Sequence, residues 1–341
     1  MRAAIRVDRV STSLRRVVAL VAGAAVLGAG VGACGQNKPR VTVGLIVKRN
    51  TNPFWVTMKD TAADTADDDN VRLLTAAGKS DIDNASQVAA LAKMTAEGAK
   101  GILITPADSS AIVPAIEKAR RAGVTVIALD TPTRPASAVD ALYATNNFQA
   151  GQLIGRYAKA KAAQHRIKPR IAMLDLSPGI TSGELRHRGF LNGFGIRDGD
   201  PQIVGTVQTL GETGRAEDGL RQLLKQHPDI NVVYTVNEPA AFGAAEALKS
   251  AGKKKGDVIL VSVDGGCDAI KNGVRPGMID ATAQQYPENM ARLGVNALAD
   301  AARGGPKPSG YKNTGVELIT GDPVKGVPSK DVAFGVRNCW G

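Results

Sequence analysis

VTVGLIVKRNTNPFW, residues 41–55, sets the architecture of the chain. Val41, Val43, Leu45, Ile46 and Val47 make a short, nearly unbroken apolar run, the pattern of a strand buried on both faces of a parallel sheet. The run stops at Lys48. Asn52 then offers a side-chain oxygen as an N-cap, and Pro53 brings a φ suited to the first helical position, so a strand hands over to a helix within a few residues. Ligands of open parallel sheets sit beyond the carboxyl ends of the strands, which puts Lys48, Asn52, Phe54 and Trp55 where a ligand would lie.

The same unit recurs outward from this stretch. Apolar runs predict strands at 71–74, 101–105, 124–129 and 141–145, then at 171–176, 203–209, 232–236, 258–263, 279–285 and 316–320. Helical spacing predicts helices at 83–97, 109–122, 148–164, 184–194, 215–227, 238–250 and 287–303. Alternating strands and helices imply parallel sheets with right-handed crossovers. Two sets in tandem imply an α/β protein of two similar lobes. The strands deliver polar residues at their carboxyl ends: Lys48, Asp130, Asn237, Asp264 and Gln285. Both lobes supply some, so a site built from them lies in a cleft between lobes. Gln284 faces away from Gln285, since neighbouring strand residues point to opposite sides.

With 341 residues, 43% of them hydrophobic, the chain can bury two ordinary cores. The net charge of +11 invites a nucleic-acid reading, but Arg2, Arg6, Arg9, Arg15 and Arg16 against Asp8 account for +4 of it. They precede an apolar stretch, 17–29, too short to span a bilayer, and small residues follow: an export signal over 1–33. From Cys34 onward the charge is +7, without a basic block, which argues against nucleic acid as a partner. Val-Gly-Ala-Cys resembles the lipobox of bacterial lipoproteins. Cys34 is then the lipidated N-terminus, residues 34–40 a tether, and the protein is held at the outer face of the cytoplasmic membrane; simple cleavage and release is the alternative. In an exported chain Cys267 and Cys339 form one disulfide or remain two buried thiols. A bridge would close a loop of about 70 residues and contribute about 2–4 kcal/mol on the chain-entropy account.

TNPFW, LDTP, RHRGFLNGF, YTVNE, SVDGG and ATAQQYP, in that order and spacing, resemble the ribose-type periplasmic sugar-binding proteins of ABC importers. The similarity runs over essentially all of the chain after Arg40. It is closest to fructose-binding members, which share QQYP and an NCWG ending after a paired cysteine. The resemblance implies a type I periplasmic-binding-protein fold with three strands crossing the hinge, near 145–147, 285 and 314–316. The lobes are then 41–145 with 286–314, and 146–285 with 315–341. It implies a monomer that passes a monosaccharide to membrane permease subunits; the alternatives are a receptor that presents the sugar to a sensor or chemotaxis protein, or a binder of a polyol or autoinducer-type ligand. Carried over by position, the ligand contacts are Asn52, Trp55, Asp130, Arg186, Asn237, Asp264 and Gln285, with Lys48 where hexose-binding relatives place a lysine. Phe54 joins them beside Trp55, and Asn147 at the first crossing. The chain departs from the ribose pattern at Thr131 in place of Arg, at Lys48 in place of Ser, and in lacking an aromatic near Leu210 or Gly211.

These residue types suit a sugar on physical grounds. Vicinal hydroxyls donate and accept, so a dry site pairs the acceptors Asp130 and Asp264 with the planar donors Arg186, Asn52 and Asn237. The C–H face of a sugar wants an aromatic surface, from Trp55 or Phe54. Two buried carboxylates need cations, which Arg186 and Lys48 can supply. Arg188 reads as a solvated helix residue, and Asp67, Asp68 and Asp69 as a solvated helix end. No nucleophile elbow, HExxH or phosphate loop accompanies the carboxylates, so catalysis by them as a glycosidase pair has no further support. His165, His187 and His227 are too scattered for a metal site, and no cofactor is expected.

Overall fold

The computed structural model describes residues 39–341, so the export signal and Cys34 lie outside the described residues. The first lobe begins with β1 (Val41–Val47), α1 (Pro53–Asp68), β2 (Val71–Ala77), α2 (Asn84–Ala96), β3 (Gly101–Ile104), α3 (Val113–Arg121), β4 (Thr125–Leu129) and β5 (Ala141–Ala144). The chain crosses to the second lobe for α4 (Asn147–Gln164), β6 (Ile171–Asp175), α5 (Thr181–Phe194), β7 (Ile203–Gln208), α6 (Thr213–Gln226), β8 (Val232–Thr235), α7 (Glu238–Ser250), β9 (Ile259–Asp264) and β10 (Ala281–Gln284). It returns to the first lobe for α8 (Pro287–Ala302) and β11 (Gly310–Asn313), then crosses back for β12 (Glu317–Thr320) and α9 (Val332–Arg337). Three chain segments therefore join the lobes.

The first sheet has the order β11-β5-β4-β3-β1-β2 and the second β12-β10-β9-β8-β6-β7. Every pairing is parallel except β10 with β12. The topology follows from the apolar runs. β1 is buried from Val43 to Val47, and its successive side chains feed opposite layers: Leu45 packs with the α1 and α8 side, Ile46 with the α2 and α3 side. The second lobe repeats this, Met173 facing α4 and α5 and Leu174 facing α6 and α7. β11 was not expected: its sequence, GYKN, is exposed throughout and carries no apolar signature. α5 starts three residues before the expected 184, at a turn whose N-cap position, Ile180, makes no side-chain cap bond.

One packing feature positions the site. α4 and α5 touch backbone to backbone through Gly151, Gly155, Gly189 and Gly193. A Cβ on Gly151 would stand 2.0 Å from the Arg186 carbonyl oxygen, and one on Gly189 2.1 Å from that of Phe148. The close approach fixes α5, which carries Arg186, against α4, which begins at the first crossing. We predict that Gly189→Ala lowers stability by about 1–3 kcal/mol or more, since backbone cannot yield as a side chain can. The urea midpoint is the readout. Gly214→Ala on α6, where a Cβ has open space, should leave it almost unchanged; equal effects at the two positions would contradict the packing described.

Candidate functional site

The carboxyl ends of five strands converge. Lys48 follows β1, Asp130 follows β4, Asn237 lies just past β8, Asp264 ends β9 and Gln285 follows β10. With Asn52, Phe54, Trp55 and Arg186 they line a small cavity between the lobes. Of the ten residues named from the sequence as ligand contacts, Asn147 does not line it. It stands behind Arg186, its Oδ1 accepting from Arg186 Nε at 2.7 Å while its Nδ2 donates to the Asp130 carbonyl.

Local chemistry explains each placement. Asn52 caps α1, accepting from Phe54 N at 2.9 Å, and Asn237 caps α7, accepting from Ala240 N at 3.1 Å. Both also border the cavity, so capping and lining are not alternatives here. Asp130 and Asp264 adopt φ of 58° and 110°, a region non-glycine residues avoid and that persists where the surroundings over-determine it. The Arg186 guanidinium spans them, 3.2 Å from Asp130 Oδ1 and 3.5 Å from Asp264 Oδ1, and also donates to the Val236 carbonyl. Lys48 reaches Asp130 indirectly. Its Nζ donates to Thr131 Oγ1 at 3.1 Å, and that hydroxyl donates to Asp130 Oδ2 at 2.7 Å, which leaves it to accept from Ser182. Lys48 and Thr131 thus jointly occupy two of the three positions at which the chain departs from the ribose pattern.

Electrostatics follow from burial. Burial pushes the Lys48 amine down from its ordinary value, with the charges of Asp130 and Asp81 opposing, and pushes the Asp264 carboxyl up, with Arg186 opposing. Glu238, at the start of α7, is raised to about 8 by burial and then by the charge of Asp264, so it keeps its proton at neutral pH. Lys48 and Arg186 stand against Asp130 and Asp264, and Asp81, which also lines the cavity, is answered by Arg49 just outside it at 2.8 Å, so the charges balance. Two buried polar atoms in it, Trp55 Nε1 and Gln285 Oε1, have no hydrogen-bond partner among the described residues; a buried polar atom calls for one.

The lobes meet on both sides of the cavity. On one side Arg49 pairs with Asp81 at 2.8 Å and donates to the carbonyls of Leu210 and Gly211 across the cleft. At Leu210–Gly211, where the resemblance implies an aromatic, this guanidinium takes the space. On the other side Ser109 N donates to the Gly179 carbonyl at 3.0 Å, Thr181 N donates to Ser109 Oγ, and Arg134 pairs with Glu184. The cleft is closed.

A family model described as periplasmic binding protein domain matches residues 43–306. The chain belongs to this family. It is 29% identical over 268 residues to the ribose import binding protein of Bacillus subtilis (strain 168), covering 79% of this chain and 84% of that one. It is 28% identical to the D-allose-binding periplasmic protein of Escherichia coli (strain K12), covering 76% and 84%. A solved ABC transporter solute-binding protein from Agrobacterium vitis with bound D-fucose superposes with a TM-score of 0.77 at 25% identity, covering 88% of this chain and all of that chain.

Family membership makes the cleft the place to look for residues that sequence reasoning missed: Asp81, Leu176 and Ser182 also line the cavity. Leu176 follows β6, as Lys48 follows β1, and could have been found by that rule. Asp81 sits in a turn and Ser182 in the first turn of α5, neither with a strand-end signal. A second groove of about 420 Å³ adjoins at Leu176 and holds His187, whose ring nitrogens lie 2.9 Å from Asp175 and 2.8 Å from Asp198. Burial opposes the imidazolium charge, but the hydrogen bonds and charges of Asp175 and then Asp198 outweigh it, lifting the ring from 6.5 to about 9. A folded value above the unfolded one means a stabilisation fully present below pH about 6.5 and lost as pH rises through about 9. We expect the stability difference between wild type and His187→Gln, from urea titrations, to be largest near pH 6 and to shrink steadily toward pH 9; a pH-independent difference would refute the assignment.

Proposed function

We propose that this protein is the extracytoplasmic solute-binding component of a sugar ABC importer, closing its lobes around one neutral monosaccharide and handing it to the permease. The carrying observation is the lining of the interlobe cavity: carboxylates each answered by a cation, Asp81 by Arg49 just outside it, donors and acceptors from both lobes, and an indole N–H and an amide oxygen of lining residues buried without protein partners. A neutral polyhydroxylated ring supplies both donors and acceptors to such a lining. A phosphate or carboxylate would bring a buried charge with no cation left to answer it. Trp55 and Phe54 line the cavity and offer the apolar surface that the C–H face of a sugar needs. Ribose, allose and D-fucose, the ligands named for the relatives above, are all neutral monosaccharides.

Fructose is the leading candidate, on the resemblance of QQYP and of the NCWG ending to fructose-binding members. Attachment of the chain to the membrane by lipid on Cys34, and action as a monomer, complete the proposal. Mass spectrometry of the natural product would show a diacylglycerol mass on Cys34, or free release without one.

Titration calorimetry of the mature chain against fructose, ribose, allose, D-fucose, gluconate and ribose 5-phosphate tests the function. At least one neutral sugar should bind with a Kd of about 10 µM or tighter, and the two charged compounds at least about a hundredfold more weakly. Asp264→Asn should weaken the bound sugar by about tenfold or more, because a charge-assisted bond is lost. Failure of every neutral sugar, or preference for an anionic one, would overturn the proposal.

A further inference from the structure

The segment after β12 ends in a hook that joins the two lobes beside the hinge. α9 packs on the second lobe, and a disulfide from Cys339 to Cys267 pins the segment to the loop that follows Asp264. The next residue, Trp340, leaves the second lobe's core. Its side chain is only 4% exposed and belongs to the apolar cluster of the first lobe. It meets Phe54 edge to face with ring centroids 5.2 Å apart, and Phe54 meets Trp55 in the same way at 4.7 Å. Its indole N–H donates to the carbonyl of Gln285, in the second crossing segment, at 2.7 Å. Its own carbonyl accepts from Cys267 N at 2.8 Å. At Gly266 a Cβ would stand 3.0 Å from the indole ring and 2.9 Å from Glu238 Oε2, so only glycine leaves room for the ring.

We propose that Trp340, seated by the Cys267–Cys339 disulfide, is a positioning residue for the ligand site: it holds the Phe54–Trp55 wall and Gln285 in register across the hinge. One side chain touches both the aromatic face and the backbone of a polar lining residue, yet does not itself line the cavity. The disulfide confines it there, since Cys339 is its immediate neighbour. The covalent bond on one lobe thereby sets the geometry of groups on the other. The effect on affinity rests on the sugar-receptor reading above; the seating of Trp340 by the disulfide does not.

Two measurements test the two parts. Trp55 and Trp340 are the chain's two tryptophans, so in a Trp55→Phe background fluorescence reports Trp340 alone. Acrylamide should quench it weakly with the disulfide intact and at least about threefold more strongly in Cys267→Ser/Cys339→Ser. Unchanged quenching would overturn the seating even if no sugar ever binds. For affinity, with the sugar that wild type binds, Trp340→Ala should raise Kd about tenfold. Trp340→Phe, which keeps the ring contact but loses the N–H bond, should raise it about threefold. Trp340→Ala added to the Cys267→Ser/Cys339→Ser chain should have a much smaller effect than in wild type, the non-additivity of groups acting as one unit. Additive effects, or a Kd for Trp340→Ala equal to that of wild type, would overturn the positioning role. Should the cysteine variant fail to fold, the graded Trp340→Phe and Trp340→Ala pair carries the test alone.

Discussion

The guanidinium of Arg186 is the centre on which the closed molecule turns. It belongs to the second lobe, yet one of its two carboxylate partners, Asp130, ends a strand of the first. Isolated in a buried cleft, either Asp130 or Arg186 would carry a heavy desolvation cost, and only closure brings them together. Much of the surrounding structure serves that contact. The glycine contact of α4 and α5 holds the helix that carries Arg186, and Asn147 at the first crossing fixes its Nε. The left-handed backbone of Asp130 and Asp264 aims their carboxylates inward.

Closure is also secured away from this pair. Arg49, held by Asp81 of its own lobe, on one side, and Ser109 with Arg134 on the other, bond across the lobes. These contacts are few and mostly partly exposed, and partly exposed polar contacts contribute little each. Under the proposed function the molecule alternates between an open arrangement and this closed one. A guest that touches both linings shifts the population between them by its differential contacts. A ligand bound by one lobe alone would move nothing.

Much of this was legible in the sequence because of where the chain changes character. A buried parallel strand must be apolar, so a polar residue just past it marks the sheet's ligand edge; Lys48, Asp130, Asn237, Asp264 and Gln285 all follow that rule. Arg186 and Asn147 needed the family resemblance, since neither ends a strand. What stayed hidden lacks a periodic signal. Asp81 lies in a turn and Ser182 in the first turn of α5, β11 is polar throughout, and the path of Trp340 into the other lobe depends on long-range packing. Thr131 looked like the loss of a cation, whereas in the folded chain its hydroxyl relays Lys48 to Asp130. Lys48 thus serves the carboxylates without the direct ion pair that counting charges would imply.

The account depends on one physical event, the drawing together of two lobes by a small neutral guest. Small-angle scattering of the mature chain, recorded without ligand and with a saturating neutral sugar identified by calorimetry, measures that event directly. The account predicts a smaller radius of gyration with sugar, and a profile matching the closed coordinates. Superimposable profiles in the two states, with the sugar demonstrably bound, would contradict it.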